Sequence, residues 1–433
     1  MPITSDPADA SVQVDGAPAA TGGDGGDAGQ GPAPAAAPVE LQPLTLRDGL
    51  PPLTETPEAL SRVVAGLARG TGPIAVDTER ASGYRYGQRA YLIQLRREGS
   101  GSFLIDPIAL PDLPGLGEAL TGPEWVLHAA SQDLPCLAEL GLRPATLFDT
   151  ELAGRLLGMP RVGLGPMVEQ VLGRALAKQH GAADWSQRPL PEAWLEYAAL
   201  DVEVLIELRG VLAGRLAEAG KATWAEQEFD AVRDAPEPPP RVDPWRRTSG
   251  IHRVRSRRGL AIVAQLWAAR DRVAERVDTA PGRLLPDSSI IAAAQAQPRT
   301  GSALLGLKEF TGRGAYRHQR EWTAALRAAW SLPDQELPSS SPRSEGPPPA
   351  RAWAQRDPAA ADRLGRARTA LRELAERLEL PVENLLTPDV LRRLMWQPPE
   401  ATQEAVAAAL AAHRARPWQV ELTTPLLVAA IEG

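Results

Sequence analysis

Apolar residues in the first half of the chain fall into short runs of strand length. Pro73-Ile-Ala-Val76 leads into Asp77-Thr-Glu79, and comparable runs lie near 90–96, 102–106 and 125–129. Runs of this length read as strands, on which successive side chains point to opposite faces. Short turns join the first three, which predicts an antiparallel start to the sheet. A helical period takes over at Leu134-Pro-Cys-Leu-Ala-Glu-Leu140 and again from Pro191 to Leu205, where Pro191 suits a first helical turn. Further on, Leu364, Ala367, Leu371, Leu374 and Leu378 step by three and four, an amphipathic helix.

The second half contains a repeat. Val273-Ala-Glu-Arg-Val277 returns as Leu374-Ala-Glu-Arg-Leu378, and Leu284-Leu285 returns at the same offset as Leu385-Leu386. Each copy then has an acid near a helix start, Asp287 and Asp389, the latter behind a Thr387-Pro388 cap. These patterns divide the chain into an α/β unit at 46–232 and two small all-α units at 242–331 and 353–433. The Pro- and Ser-rich stretch 332–352 reads as a linker.

Composition sharpens this division. Hydrophobic residues make up 43% of the 433, enough for buried cores, but residues 1–45 are Ala, Gly, Pro and Asp with almost no large apolar groups. Such a segment cannot offset its ordering entropy and is expected to be disordered. It lacks the basic region and apolar core of a signal peptide, and no apolar run is long enough to span a membrane, so no membrane partner is expected and a cytoplasmic location is the default. The one cysteine, Cys136, excludes an intrachain disulfide and a thiolate zinc site, and its helical setting marks it as core. The formal net charge of −7 is unusual for a nucleic-acid binder. Against it stands a cluster of arginines at 241, 246, 247, 253, 255, 257 and 258. It reads as a phosphate-contacting stripe or as a solvated linker.

The candidate chemistry lies in three places. Asp77 and Glu79 flank Thr78 on a strand and so share a face. Asp133 follows the strand near 125–129 at the start of a helix, and Tyr197 and Asp201 are four apart on one helical face. Taken singly, each is ordinary: a solvated strand end, a first-turn acid, a half-buried tyrosine beside an exposed acid. Together, carboxylates with water suit two hard octahedral cations, Mg²⁺ or Mn²⁺. Roughly 3.5–4 Å apart, two such ions would clamp the attacking and leaving oxygens of a phosphodiester. Tyr197 would orient the attacking water.

The order Ile74-Ala-Val-Asp-Thr-Glu-Arg80, His128-Ala-Ala-Ser-Gln-Asp133, Tyr197-Ala-Ala-Leu-Asp201 resembles the tyrosine subclass of the DEDD exonuclease superfamily, and within it the bacterial ribonuclease D family. Ala90-Tyr-Leu-Ile-Gln-Leu-Arg96, Phe148-Asp-Thr-Glu-Leu-Ala153 and Asp184-Trp-Ser-Gln-Arg-Pro-Leu190 extend the resemblance over about 46–230. The first helical unit resembles the HRDC domain, a nucleic-acid-binding module, and the second is a more distant relative. The resemblance implies an α/β ribonuclease H-like core, a mixed sheet with flanking helices, followed by two HRDC-like units. It implies 3′-to-5′ hydrolysis of RNA ends with release of 5′-monophosphates, and tRNA precursors are the family's usual substrate. Asp77, Glu79, Asp133 and Asp201 would hold two divalent cations, with Tyr197 as the fifth catalytic residue. No obligatory protein partner follows.

Alternatives accompany this reading. A histidine subclass spaces its histidine five before the last aspartate, as His128 and Asp133 are spaced, but then no intermediate acid would lie between Asp77 and Asp133. His128 is therefore read as a strand-end residue beside the site. Gln94 contacts substrate or is structural. Asp149 supports the site or, more simply, caps a turn. Trp185 and Arg188 meet base and phosphate, or pin their own loop. At the level of function, the alternatives are trimming of DNA and a nucleic-acid-binding scaffold with an inactive core.

Overall fold

The computed structural model describes residues 41–176, 181–340 and 346–433. Most of the expected tail, residues 1–40, lies outside them, as do 341–345 of the expected linker.

Eight strands are described: β1 Gln42–Pro43, β2 Leu53–Thr54, β3 Thr71–Arg80, β4 Ala90–Glu98, β5 Gly101–Ile105, β6 Trp125–Leu127, β7 Leu147–Asp149 and β8 Arg174–Ala175. Around them lie α1 Pro57–Arg69, α2 Leu116–Thr121, α3 Leu134–Glu139, α4 Thr150–Leu156, α5 Leu164–Leu172, α6 Glu192–Glu203, α7 Leu205–Glu218 and α8 Ala222–Arg233. Six strands form one mixed sheet in the order β2-β5-β4-β3-β6-β7. The run β3-β4-β5 is antiparallel, as expected, and β6 and β7 add in parallel. The β4–β5 turn closes through Gly99 and Gly101, at φ 75° and 80°, a region that residues with a Cβ avoid.

The two faces of this sheet differ. Residues directly opposite across β3 and β4 share a face, which pairs Asp77 with Gln94 and Glu79 with Leu92. That face is covered by α6, whose Ala198 and Ala199 are fully buried and let the helix lie close. On the other face Ile74, Val76, Ile93 and Leu95 pack with Leu60, Leu67, Leu116 and Leu137 of α1, α2 and α3.

The expected tail ends earlier than residue 45. Gln42–Pro43 pairs with Arg174–Ala175, and the Leu44 amide donates to the Ala175 carbonyl at 3.0 Å. Arg47 then reaches Glu203 at 2.9 Å. Glu203 also pairs with Arg96 at 3.0 Å, and its side chain is 1% exposed, so this charge anchors the end of α6 against β4.

The first helical unit comprises α9 Arg257–Arg276, α10 Pro281–Leu284, α11 Asp287–Ala296, α12 Gly301–Leu305, α13 Arg313–Arg317 and α14 Gln319–Ser331 around Leu266, Ile290, Phe310 and Trp322. The second comprises α15 Trp353–Arg356, α16 Pro358–Arg377, α17 Val382–Leu385, α18 Pro388–Trp396, α19 Gln403–Ala412 and α20 Pro417–Glu432 around Trp353, Leu371, Met395 and Leu410. Neither dangles. The β3–β4 loop is held by the first: the Ala280 amide donates to the Tyr84 carbonyl at 2.9 Å, and Arg89 pairs with Asp278 at 3.0 Å. The second sits on α8, where Trp418 stacks on Trp224 at 4.9 Å and donates to Glu228 at 3.0 Å. The expected linker is also more fixed than its composition suggests. Leu337 packs into the core of the first helical unit, and Arg258 donates to the Leu332 carbonyl at 2.9 Å.

Candidate active site

β3 is paired on both sides, so the C-terminal end of a central strand carries Asp77 and Glu79 to one edge of the sheet. α6 crosses that face and brings Asp201, with Tyr197 one turn earlier. Asp133 comes from the turn after β6, at the start of α3. Asp77, Glu79 and Asp201 each offer an oxygen within 4.8 Å of the others. Asp133 faces them and is held by the Thr78 hydroxyl, which donates to it at 2.6 Å. All five residues expected from sequence line one cavity of about 490 Å³.

The charges here are out of balance. Burial, then repulsion from Asp133, Asp201 and Glu79, holds the Asp77 carboxyl well above its ordinary range. Burial, then Asp201 and Asp133, pushes Glu79 up to about 9. Burial lifts Asp133 to about 6 against the Thr78 hydrogen bond, and lifts Asp201 to about 7 against the Tyr197 hydroxyl. Burial and the neighbouring carboxylates also raise Tyr197, so its hydroxyl stays protonated and donates to Asp201. Four such carboxylates cannot all ionise beside one another without a compensating cation. Among the described residues their donor set is oxygen only, which fits hard divalent ions.

The remaining candidates separate. His128 lines the cavity, but its Nδ1 lies 2.9 Å from the Thr150 hydroxyl, and burial lowers it to about 4, so it stands neutral beside the acids. Gln94 lies beneath Asp77 with 0% exposure, which removes it from substrate contact; its amide has no hydrogen-bond partner among the described residues. Trp185 is also 0% exposed and packs on Trp194 at 5.4 Å. Arg188 pairs with Asp106 at 2.6 Å and donates to the Tyr91 carbonyl at 2.9 Å. Of the two readings for Trp185 and Arg188, pinning of their own loop is the one their contacts support.

Two contributors, Thr78 and Arg80, were not visible as site residues in the sequence, and a third, Asp149, was read there as supporting the site or capping a turn. Thr78 points to the opposite face from its neighbours, and its bond to Asp133 spans 55 positions. Arg80 is the one cation lining the cavity among the described residues. Asp149 is buried, accepts from the Ala129 and Ala130 amides at 3.1 and 2.8 Å, and caps α4 through Glu151 and Leu152. It thereby fixes the turn that carries Asp133, in which Ala129 adopts φ 57°.

Residues 53–217 match a family model described as 3′-5′ exonuclease, 259–326 match the HRDC domain, and 346–431 match a 3′ to 5′ exonuclease C-terminal domain. The last match covers the second helical unit. Ribonuclease D of Gluconacetobacter diazotrophicus is 34% identical over 310 residues, 69% of this chain and 77% of that protein. Ribonuclease D of Shewanella sp. is 32% identical over 261 residues, 59% of this chain and 67% of that protein. Among solved structures, a protein from Bifidobacterium adolescentis superposes with a TM-score of 0.83 at 39% identity, over 91% of this chain and all of that one. Escherichia coli RNase D, an exoribonuclease involved in structured RNA processing, superposes at 0.63 and 25% identity, over 88% and 98% of the two chains.

Proposed function

Because this chain belongs to the ribonuclease D family and is a 3′-to-5′ exonuclease, we propose that it trims RNA from the 3′ end, one 5′-mononucleotide at a time, at the carboxylate cluster. One observation carries the assignment of residues: Asp77, Glu79 and Asp201 present oxygens within 4.8 Å of each other, with Asp133 and Tyr197 lining the same cavity. Asp77, Glu79, Asp133 and Asp201 hold two divalent cations, Mg²⁺ or Mn²⁺. Those cations, when bound, neutralise the cluster and the phosphate and lower the pKa of water.

The chain's own residues do the rest. Tyr197 keeps its proton and donates it to Asp201, which leaves its oxygen free to accept from a water and aim it. Thr78 fixes the rotamer of Asp133 opposite. Arg80 supplies the positive charge that the phosphodiester needs on approach to an acidic pocket. Both helical units then act as RNA-binding modules beside a nuclease domain spanning 46–232. Stable RNA 3′ tails such as those of tRNA precursors are the substrate class the family suggests.

The test is direct. Purified protein is incubated with 5′-labelled single-stranded RNA and the matching DNA, with Mg²⁺ or Mn²⁺, beside Asp77→Ala. A metal-dependent ladder shortening from the RNA 3′ end, absent in the variant, is the expected result. Preference for DNA would reassign the substrate. Unchanged activity in Asp77→Ala would overturn the site.

A further inference from the structure

Three of the seven arginines that looked like a phosphate stripe in the sequence are engaged. Arg246 pairs with Asp243 at 3.0 Å, Arg257 donates to the Leu337 carbonyl, and Arg258 caps the end of α14 and pairs with Asp334 at 3.0 Å. Another face of the same helical unit keeps its cations free. Arg313, Tyr316 and Arg317 stand at i, i+3 and i+4 on α13, and Arg320 follows past the His318 break at the start of α14. All four are exposed, Tyr316 to 58%. None of the three arginines has an ion pair or side-chain hydrogen bond among the described residues. The one acid between 312 and 331, Glu321, is already taken by Arg276 at 2.9 Å and by His318 at 3.8 Å.

Tyr316 stands out among the chain's five tyrosines. Tyr84 lies under Arg283 at 4.0 Å, Tyr86 reaches Asp271, Tyr91 is bound by Arg89, and Tyr197 belongs to the cavity. Tyr316 alone offers an open ring. A flat ring flanked by unpaired guanidinium groups suits a single-stranded polynucleotide: bases stack on the ring and phosphates meet the cations. The surface is also joined to the cavity. α13 lies against α10 so closely that a Cβ on Gly314 would come within 2.5 Å of the Leu284 carbonyl oxygen. On α10, Arg283 donates to the Gly83 carbonyl at 2.8 Å, in the loop that leaves the cavity just after Arg80.

We propose that Arg313, Tyr316, Arg317 and Arg320 hold the single-stranded RNA on the 5′ side of the 3′ end being trimmed. The RNA identity and direction rest on the exonuclease reading above; the surface itself does not. Binding is therefore measured first in EDTA, by fluorescence anisotropy of the full chain with a labelled single strand of about 16 nucleotides. Tyr316→Ala should weaken it about tenfold, the scale of one lost base stack. Replacing the three arginines by alanine should make the salt dependence of log K shallower by about 2. Arg62→Ala, an exposed arginine on α1, which covers the sheet face away from the cavity, serves as the control and should change neither quantity. With metal present, the KM of the long strand should rise in the face variants, whereas cleavage of a dinucleotide, too short to leave the cavity, should not follow. Thermal melting checks that the variants fold. Long-strand affinity and salt slope equal to those of the unsubstituted protein would overturn the proposal, as would equal binding of duplex RNA with no effect of Tyr316→Ala. A wild-type protein that binds the strand in this way but never shortens it would sink the nuclease reading and leave the surface standing.

Discussion

Asp201→Asn separates stability from activity most sharply. In the cation-free protein, burial holds Asp201 at about 7 instead of near its ordinary 3.8. Keeping it ionised above pH 7 then costs the folded state up to about 4 kcal/mol, because a displacement of one in pKa is worth about 1.4 kcal/mol. Asp77 and Glu79 share one proton pool with it, so removing one charge relieves about half of that, roughly 2 kcal/mol at pH 8. Asparagine keeps an oxygen for the Tyr197 hydroxyl, so little else is lost. For a domain of this size the gain is about 4–8 °C in Tm. The sign follows from the raised pKa. The folded state binds more protons than the unfolded state between about pH 4 and 7, so the penalty is absent near pH 4 and complete above 7. The assay is thermal unfolding in EDTA at pH 4.5 and pH 8, repeated with Mg²⁺, together with nuclease activity. The variant should be more stable only in EDTA at pH 8, should gain less from Mg²⁺ than the wild type, and should be inactive. Equal Tm values at pH 8 in EDTA, or the same advantage at both pH values, would refute the idea that the carboxylates hold stored repulsion.

Other outcomes follow from the same structure. Tyr197→Phe should lower kcat about a hundredfold while leaving metal affinity, read by calorimetry, nearly unchanged, since the phenol orients water without ligating an ion. Asp149→Ala strands the Ala129 and Ala130 amides and uncaps α4; a loss of about 3 kcal/mol in urea unfolding is expected, with weaker metal binding through a displaced Asp133. Trp418→Ala removes the stack on Trp224 and the bond to Glu228, so it should cost about 3–4 kcal/mol and expose the second helical unit to protease before the nuclease domain unfolds.

The sequence carried the strands, the two helical units and the five-residue cluster because each obeys a local period. Asp77 and Glu79 are two apart on a strand, Tyr197 and Asp201 share a helical face, and the repeat recurs at one offset. What it hid was non-local. That Thr78 holds Asp133, or that Asp149 bridges two amides twenty positions back, depends on pairs no window can see. Trp185 and Arg188 are residue types that serve equally at a nucleotide or in a loop; only burial and the Asp106 partner decide between them. The arginines at 241–258 show the converse. Their density suggested a surface for phosphate, yet carbonyls at helix ends and a folded-back linker consume several of them. A face with fewer arginines remains free because its stretch has only one acid.

The β3–β4 loop has a bearing on how the chain can be cut. Tyr86 packs against the core of the first helical unit, Arg283 of α10 covers one side of the Tyr84 ring, and Arg89 is neutralised by Asp278 across the same seam. Trp224 is likewise shielded by Trp418. A chain shortened to end after α8 would bare three aromatic rings on two sides and leave Arg89 without its counter-charge. Such a fragment would keep its catalytic cluster but would tend to self-associate and stick to anionic surfaces. For this enzyme the helical units thus also act as intramolecular covers over aromatic side chains of the nuclease domain.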